Sequence, residues 1–169
     1  MSGQLSYNTM AQELLEQLPR GAFLSVRAKE RINTMTIGWG AIGFFWNLPV
    51  LMVAVRYSRY TFDLLKEARD FSVSVPLNAD FKKSLAGTGS KSGRDMDKFK
   101  VFSLKAEKGK SIESPVIGNC GLVYECRLIF KQTMDPELLA PELRQKFYAQ
   151  EDYHVMYYGE IVSVYLNSK

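Results

Sequence analysis

The chain is poor in the residues that most often carry acid–base and metal chemistry. Its 169 residues hold one histidine, His154, and two cysteines, Cys120 and Cys126. Two thiols and one imidazole fall short of the four ligands of a structural zinc, which argues against a zinc site. No Ser-His-Asp ordering can be defended, because His154 alone would have to be the base. If both cysteines share one extended strand, six steps of about 3.3 Å set them roughly 20 Å apart, beyond disulfide reach. That fits a reducing, cytoplasmic setting. Phosphate motifs are missing too. The run from Gly87 to Ser92 includes Lys91 but not at the G-x-x-x-x-G-K-[ST] spacing. No G-x-G-x-x-G follows a strand and opens a helix, so a Rossmann dinucleotide unit is absent and any redox cofactor is held another way.

Charge of one sign is scarce, with 22 Lys and Arg against 18 Asp and Glu for a net +4. Without a long basic block, this excess suits a small anionic ligand as well as nucleic acid. Long apolar runs are few. Residues 37–55 are 19 in a row without a charge, near the shortest membrane span. Gly38, Gly40, Gly43, Asn47 and Pro49 divide them into strand, loop and strand instead. Residues 1–20 carry Glu13 and Glu16 and no long apolar block, unlike a secretory leader.

What is present is a globular pattern, 46% hydrophobic and 24% charged, of a length that suits one domain with an N-terminal helix in 1–20 and a core over 21–166. Residues 10–18 read as that helix, with Thr9 and Gln12 as a capping box. Strands are expected at 22–28, 32–41, 50–55, 71–75, 121–133 and, as one strand or a pair, 153–166. The third is apolar on both faces and therefore central. Short helices are expected at 60–68, started by hydroxyls around Ser58 and Thr61, and at 78–85, capped by Asn78 and stopped by Gly87. Residues 87–94 then form a glycine-rich loop. Asp135-Pro136 opens a helix to about Phe147 that Pro141 bends or interrupts. Many strands with scattered helices indicate a mainly β fold, an antiparallel barrel with helical decoration.

Two segments suit a phosphate. Arg56-Tyr57-Ser58-Arg59-Tyr60-Thr61 offers guanidinium charge, hydroxyls and the N–H groups of a helix start. Ser90-Lys91-Ser92-Gly93-Arg94 adds hydroxyls, cations and a glycine for close backbone approach. Either run alone reads equally as a solvated loop. A third segment, Asn33-Thr34-Met35-Thr36-Ile37-Gly38-Trp39-Gly40, is a strand with glycines where bulky residues usually sit, suited to a flat body against the backbone or to a barrel corner.

These segments in order, with Pro49, Phe71-x-Val73-x-Val75-Pro76, Ser92-Gly93-Arg94-Asp95-x-Asp97-Lys98-Phe99, Glu125-Cys126 and His154-x-x-x-x-Gly159-Glu160-Ile161-Val162, resemble the flavin reductase-like, FMN-binding split-barrel family, and within it the flavoredoxin-like branch. The resemblance implies a six-stranded antiparallel Greek-key split barrel that forms a homodimer with FMN near the interface. It implies that Asn33, Met35, Thr36, Ile37, Gly38 and Trp39 line the isoalloxazine ring. Ala54, Val55 and Arg56 would then meet the ribityl chain and phosphate, with Ser58, Thr61, Lys91, Ser92 and Gly93 around the phosphate. His154 is the candidate catalytic residue, or else a structural histidine. Two departures stand out. Gly38 removes a side-chain hydroxyl before Trp39, and Glu151-Asp152-Tyr153-His154 replaces the Gly-Asp-His of members that use a nicotinamide directly.

The functional expectation is an FMN oxidoreductase fed by a reduced donor, with NAD(P)H as one possibility. The alternatives are a flavoredoxin-type carrier with protein redox partners, or a non-redox ligand-binding barrel. Neither nucleic acid nor a membrane is expected as a partner. Glu125 is expected to point outward toward Arg127 or Lys131, and Trp46 either to cover the ring or to seal the dimer.

Overall fold

A computed structural model describes residues 4–77 and 80–167. Helix α1 (Ala11–Gln17) and a 3-10 turn (Leu18–Arg20) precede strands β1 (Ala22–Ala28), β2 (Arg31–Ile37), β3 (Gly40–Phe45) and β4 (Leu48–Arg56). Helix α2 (Tyr60–Leu65), β5 (Asp70–Pro76), α3 (Lys82–Ser90), α4 (Lys98–Val101) and the short strands β6 (Ala106–Glu107) and β7 (Val116–Ile117) follow. The chain closes with β8 (Gly121–Thr133), a 3-10 turn (Pro136–Leu138), α5 (Pro141–Phe147) and β9 (His154–Leu166).

The main sheet is antiparallel, in the order β2-β1-β5-β8-β9-β4-β3, with β6 and β7 as a separate ribbon. That makes seven strands where six were expected. The extra one arises because the expected strand 32–41 breaks at Gly38-Trp39, giving β2 and β3. These consecutive strands lie at opposite edges of the sheet. A flat seven-stranded sheet would separate its edges by about 29 Å at about 4.8 Å per strand, but the link from Ile37 to Gly40 reaches about 11 Å at most. The sheet therefore has to curl until its edges meet, and the Gly38-Trp39 corner is the seam. Leu24, Val26, Val53, Val55, Phe71, Val73, Leu122 and Tyr124 fill the interior and are fully buried.

Several local expectations are corrected. Met10 caps α1 without any side-chain bond, so Thr9 and Gln12 form no capping box. Helix α2 also starts without a side-chain cap, because the Ser58 and Thr61 hydroxyls are engaged elsewhere. Asn78 lies outside the described residues. Gly87 does not stop a helix: α3 runs through it to Ser90, and a Cβ at Gly87 would overlap the Phe102 ring that packs there. The expected glycine-rich loop is thus half helix. Asp135 caps only a 3-10 turn, and Pro141 restarts the chain as the first residue of α5. β4 pairs with β3 and β9 and is internal to the sheet, while β9 is one continuous strand.

Glu125 does not point to solvent. It is fully buried, and its carboxylate accepts from the N–H groups of Lys110 and Ser111 at 2.7 Å each and from the Tyr165 hydroxyl at 2.6 Å. Asp70 likewise accepts from the N–H groups of Glu113 (3.0 Å) and Ser114 (2.9 Å). These two carboxylates pin the loop 109–114 over the outer face of β5 and β8. Cys120 and Cys126 are free, buried thiols, and burial pushes the Cys120 thiol up to about 12. Among the described residues no helix is long and apolar enough to cross a membrane.

Candidate functional site

The seam of the barrel opens into two adjoining cavities that share Arg59. The first, of about 210 Å³, lies between the β2–β3 corner and the ends of β4 and β9. Met35, Thr36, Ile37, Gly38 and Trp39 line one side, and Ala54, Arg56 and His154 the other. β2 is an edge strand, so alternate backbone N–H and C=O groups there have no ladder partner. Trp39 stands half exposed with its ring edge-on to Phe147 at 5.2 Å and tilted over His154 at 4.9 Å. The result is a slot with Met35, Ile37, Trp39 and Ala54 as apolar walls, Arg56, Arg59 and His154 as polar ones, and the β2 backbone along its rim.

Three charged or titratable groups border this slot: Arg56, His154 and the shared Arg59. The Arg56 guanidinium donates to the carbonyls of Asp152 (2.5 Å) and Phe147 (3.1 Å) and lies over the Tyr148 ring at 5.0 Å. His154 is buried, and Tyr148 Oη lies 2.7 Å from its Nδ1. Burial, and secondarily the Arg56 cation, hold the imidazole down to about 4, so it is neutral at physiological pH.

The second cavity, of about 140 Å³, is polar. Asn33, Ser58, Thr61, Lys91, Ser92 and Lys98 are among its walls, together with Arg59 and Arg94. Here burial and charge coincide. Lys98 is 3% exposed, yet among the described residues neither it nor Arg59 forms an ion pair. Lys98 Nζ donates to the Thr88 carbonyl (2.8 Å), and Arg59 donates to the carbonyls of Gly89 (2.6 Å) and Thr88 (3.2 Å). Both cations thus converge on the last turn of α3. Desolvation, and then Arg59, lower Lys98 to about 8, and desolvation also lowers Arg59. Two desolvated cations held only by carbonyls make a cavity that favours an anion.

The two cavities sort the site residues expected from the sequence. Met35, Thr36, Ile37, Gly38, Trp39, Ala54 and His154 lie in the slot, although the Thr36 hydroxyl is bonded to α3 through the Leu85 carbonyl (2.5 Å) and Thr88 Oγ1 (2.8 Å). Asn33 falls in the polar cavity rather than the slot, donating from Nδ2 to Thr61 Oγ1 at 2.9 Å. Arg56 falls in the slot rather than the polar cavity. Ser58 spends its N–H (3.1 Å) and hydroxyl (2.6 Å) on the Asp152 carboxylate. Val55 is sealed in the core, and Gly93 is not among the cavity walls but packs against Asn33, whose Oδ1 a Cβ there would overlap. Lys91 and Ser92 line the polar cavity.

Arg59 and Lys98 were not singled out by sequence reasoning. Both lie within the segments that carry the family resemblance, Lys98 between the helix-capping Asp97 and the apolar Phe99. Trp46 lies outside both cavities, packed on Phe130 (5.7 Å) and Tyr158 (6.2 Å). A larger cavity of 690 Å³ lies beyond Thr36 beside α3, but its Arg20, Asp80 and Lys82 are all exposed, so it gathers no buried charge.

Residues 16–169 match the model of the flavin reductase like domain. The chain belongs to that family. It is 33% identical over 132 residues to an uncharacterized protein of Archaeoglobus fulgidus, covering 77% of this chain and 73% of that one. Among solved structures it is similar to flavoredoxin from Methanosarcina acetivorans at 27% identity and a TM-score of 0.66, covering 88% of this chain and 68% of the other. It is also similar to an FMN-binding protein from Thermus thermophilus solved with 1-cyclohex-2-enone, at 26% identity and a TM-score of 0.66, covering 85% and 68%. The fold is the flavin reductase-like split barrel, as the residue pattern led one to expect.

Proposed function

We propose that this chain binds FMN along the barrel seam and serves as a flavin-dependent oxidoreductase that passes electrons from a reduced donor to an acceptor. The observation that carries this reading is the pairing, through Arg59, of a slot walled by Met35, Ile37 and Trp39 with a cation-lined cavity whose described walls hold no carboxylate. A planar ring system and a phosphate joined by a short chain match that shape and charge. Arg59 and Lys98 grip the phosphate, with the Lys91 cation and Ser92 hydroxyl closing the exposed side. Met35 to Trp39 lie against the ring, and unpaired backbone groups of β2 meet its polar edge. FMN, when bound, supplies one- and two-electron transfer. The relatives described as FMN-binding protein and flavoredoxin support the choice of cofactor.

NAD(P)H as donor and a protein partner as donor are distinguished by anaerobic mixing of the FMN-loaded protein with NADH or NADPH. Rapid bleaching of the flavin absorbance assigns a reductase. Its persistence assigns a flavoredoxin-type carrier, in line with the Glu151-Asp152-Tyr153-His154 departure. A purified protein that takes up no FMN would overturn the reading altogether.

A homodimer belongs to the same reading. Phe44, Phe45 and Trp46 are each more than half exposed and continue into Phe130, an apolar face of the kind that marks an interface. We assign its occupant as a second copy of this chain across a two-fold axis. Sedimentation should give a dimer for the native chain and a monomer for Trp46→Ser combined with Phe130→Ser; a native monomer would refute it.

A further inference from the structure

We propose that Tyr148 fixes His154 as a neutral imidazole with its proton on Nε2, and that this N–H is a fixed donor for a carbonyl oxygen lying in the apolar slot. The inference rests on the reading above, in which a flavin, and a substrate against it, occupy that slot.

The hydrogen-bond geometry decides the tautomer. Tyr148 is buried, and its hydroxyl has one partner among the described residues, His154 Nδ1 at 2.7 Å. If the phenol donates, its proton is satisfied and Nδ1 accepts. If Nδ1–H donated instead, the phenol proton would be left buried without an acceptor, at a cost of about 1–3 kcal/mol. The first arrangement therefore prevails, and the ring proton sits on Nε2.

The position of Nε2 follows from what is sealed and what is not. Tyr153 Oη is the one buried side-chain polar atom without a partner among the described residues. His154 Nε2 also lacks a partner and so cannot be sealed; it opens on the cavity that His154 lines. Burial first, and the Arg56 cation second, keep the ring neutral. Arg56 from β4 and Arg59 from the start of α2 border the same slot, and Asp152 opposes them only partly, its carboxylate being engaged by Ser58. A neutral, oriented N–H among these groups is a donor and not a proton source, and the matching ligand group is an acceptor oxygen. A carbonyl of the flavin ring and a carbonyl of a bound substrate present the same chemistry.

Nitrogen-15 NMR of selectively labelled His154 tests this on the free protein first. The native chain should show a protonated Nε2 and an unprotonated Nδ1 from pH 8 down to about pH 5. Tyr148→Phe should show mixed tautomers and an imidazole that titrates at higher pH. A protonated Nδ1 in the native chain, or a tautomer unchanged in Tyr148→Phe, would overturn the proposal while leaving FMN binding untouched. The second arm adds FMN and then p-hydroxybenzaldehyde. A downfield shift of the Nε2 proton with FMN alone assigns the flavin carbonyl, and a shift only with the aldehyde assigns the substrate carbonyl. No shift with either, in protein shown by fluorescence quenching to hold FMN, would overturn the donor role. Failure to take up FMN would overturn the reading of the site and the donor role with it, with the free-protein tautomer already measured.

Discussion

Two regions of this molecule bury charge in opposite ways. Under the loop 109–114, the carboxylates of Asp70 and Glu125 are met entirely from within the chain, by four backbone N–H groups and the Tyr165 hydroxyl. In the polar cavity, Arg59 and Lys98 are met only by the carbonyls of Thr88 and Gly89. A buried charge whose hydrogen-bonding capacity is filled holds structure together, and one met by a single carbonyl, as Lys98 is, holds a place for a ligand. The contrast separates a structural clamp from a binding site that residue type alone would not distinguish.

The largest effect expected from this contrast is on ligand affinity. Arg59→Ala combined with Lys98→Met should weaken FMN binding about 100-fold, or about 3 kcal/mol, for the loss of two charge-assisted contacts. Fluorescence titration reads it, and an unchanged affinity would move the phosphate elsewhere. Glu125→Gln should leave that affinity alone and cost about 2 kcal/mol of stability in urea unfolding, because two N–H donors lose a charged acceptor.

Proton linkage sharpens the comparison further. Lys98 is held down to about 8 in the free protein, so it loses its charge as pH rises through that value. FMN affinity should therefore fall by up to about tenfold between pH 7 and pH 9.5, and the decline should vanish in Lys98→Met. The smallest effect is the most diagnostic in sign. Removing the buried Lys98 charge with Lys98→Met should raise the stability of the ligand-free protein by about 1 kcal/mol, whereas removing the Glu125 charge lowers it.

Much of the frame was legible in the sequence, because alternation and turn residues act locally. β8 matches its expected bounds of 121–133, where Tyr124, Cys126 and Leu128 alternate with Glu125 and Arg127. The break between β2 and β3 was half legible, because the glycines of 33–40 suit a barrel corner while nothing local says that the chain crosses from one sheet edge to the other. Alternation placed Glu125 on the face opposite the core, but not the loop that covers that face. The site divides similarly. Ser92 and Lys91 lie where a polar, glycine-rich run suggests. Lys98 acquires its meaning only when α4 packs against α3 and removes water from its ammonium. Arg56 and Asn33 exchange the places expected of them, because Arg56 ends β4 in register with His154 and so reaches the carbonyls of Asp152 and Phe147, while β2 directs Asn33 toward Thr61.

The central claim is that the buried Lys98 and the half-buried Arg59 grip a phosphate beside a slot for a planar ring. Parallel calorimetric titrations with FMN and riboflavin, which share the ring and differ in the phosphate, test it most directly. The account predicts that FMN binds about 100-fold more tightly than riboflavin to the native chain and by only a few-fold in Arg59→Ala combined with Lys98→Met. Equal affinities for the two flavins in the native chain would contradict it.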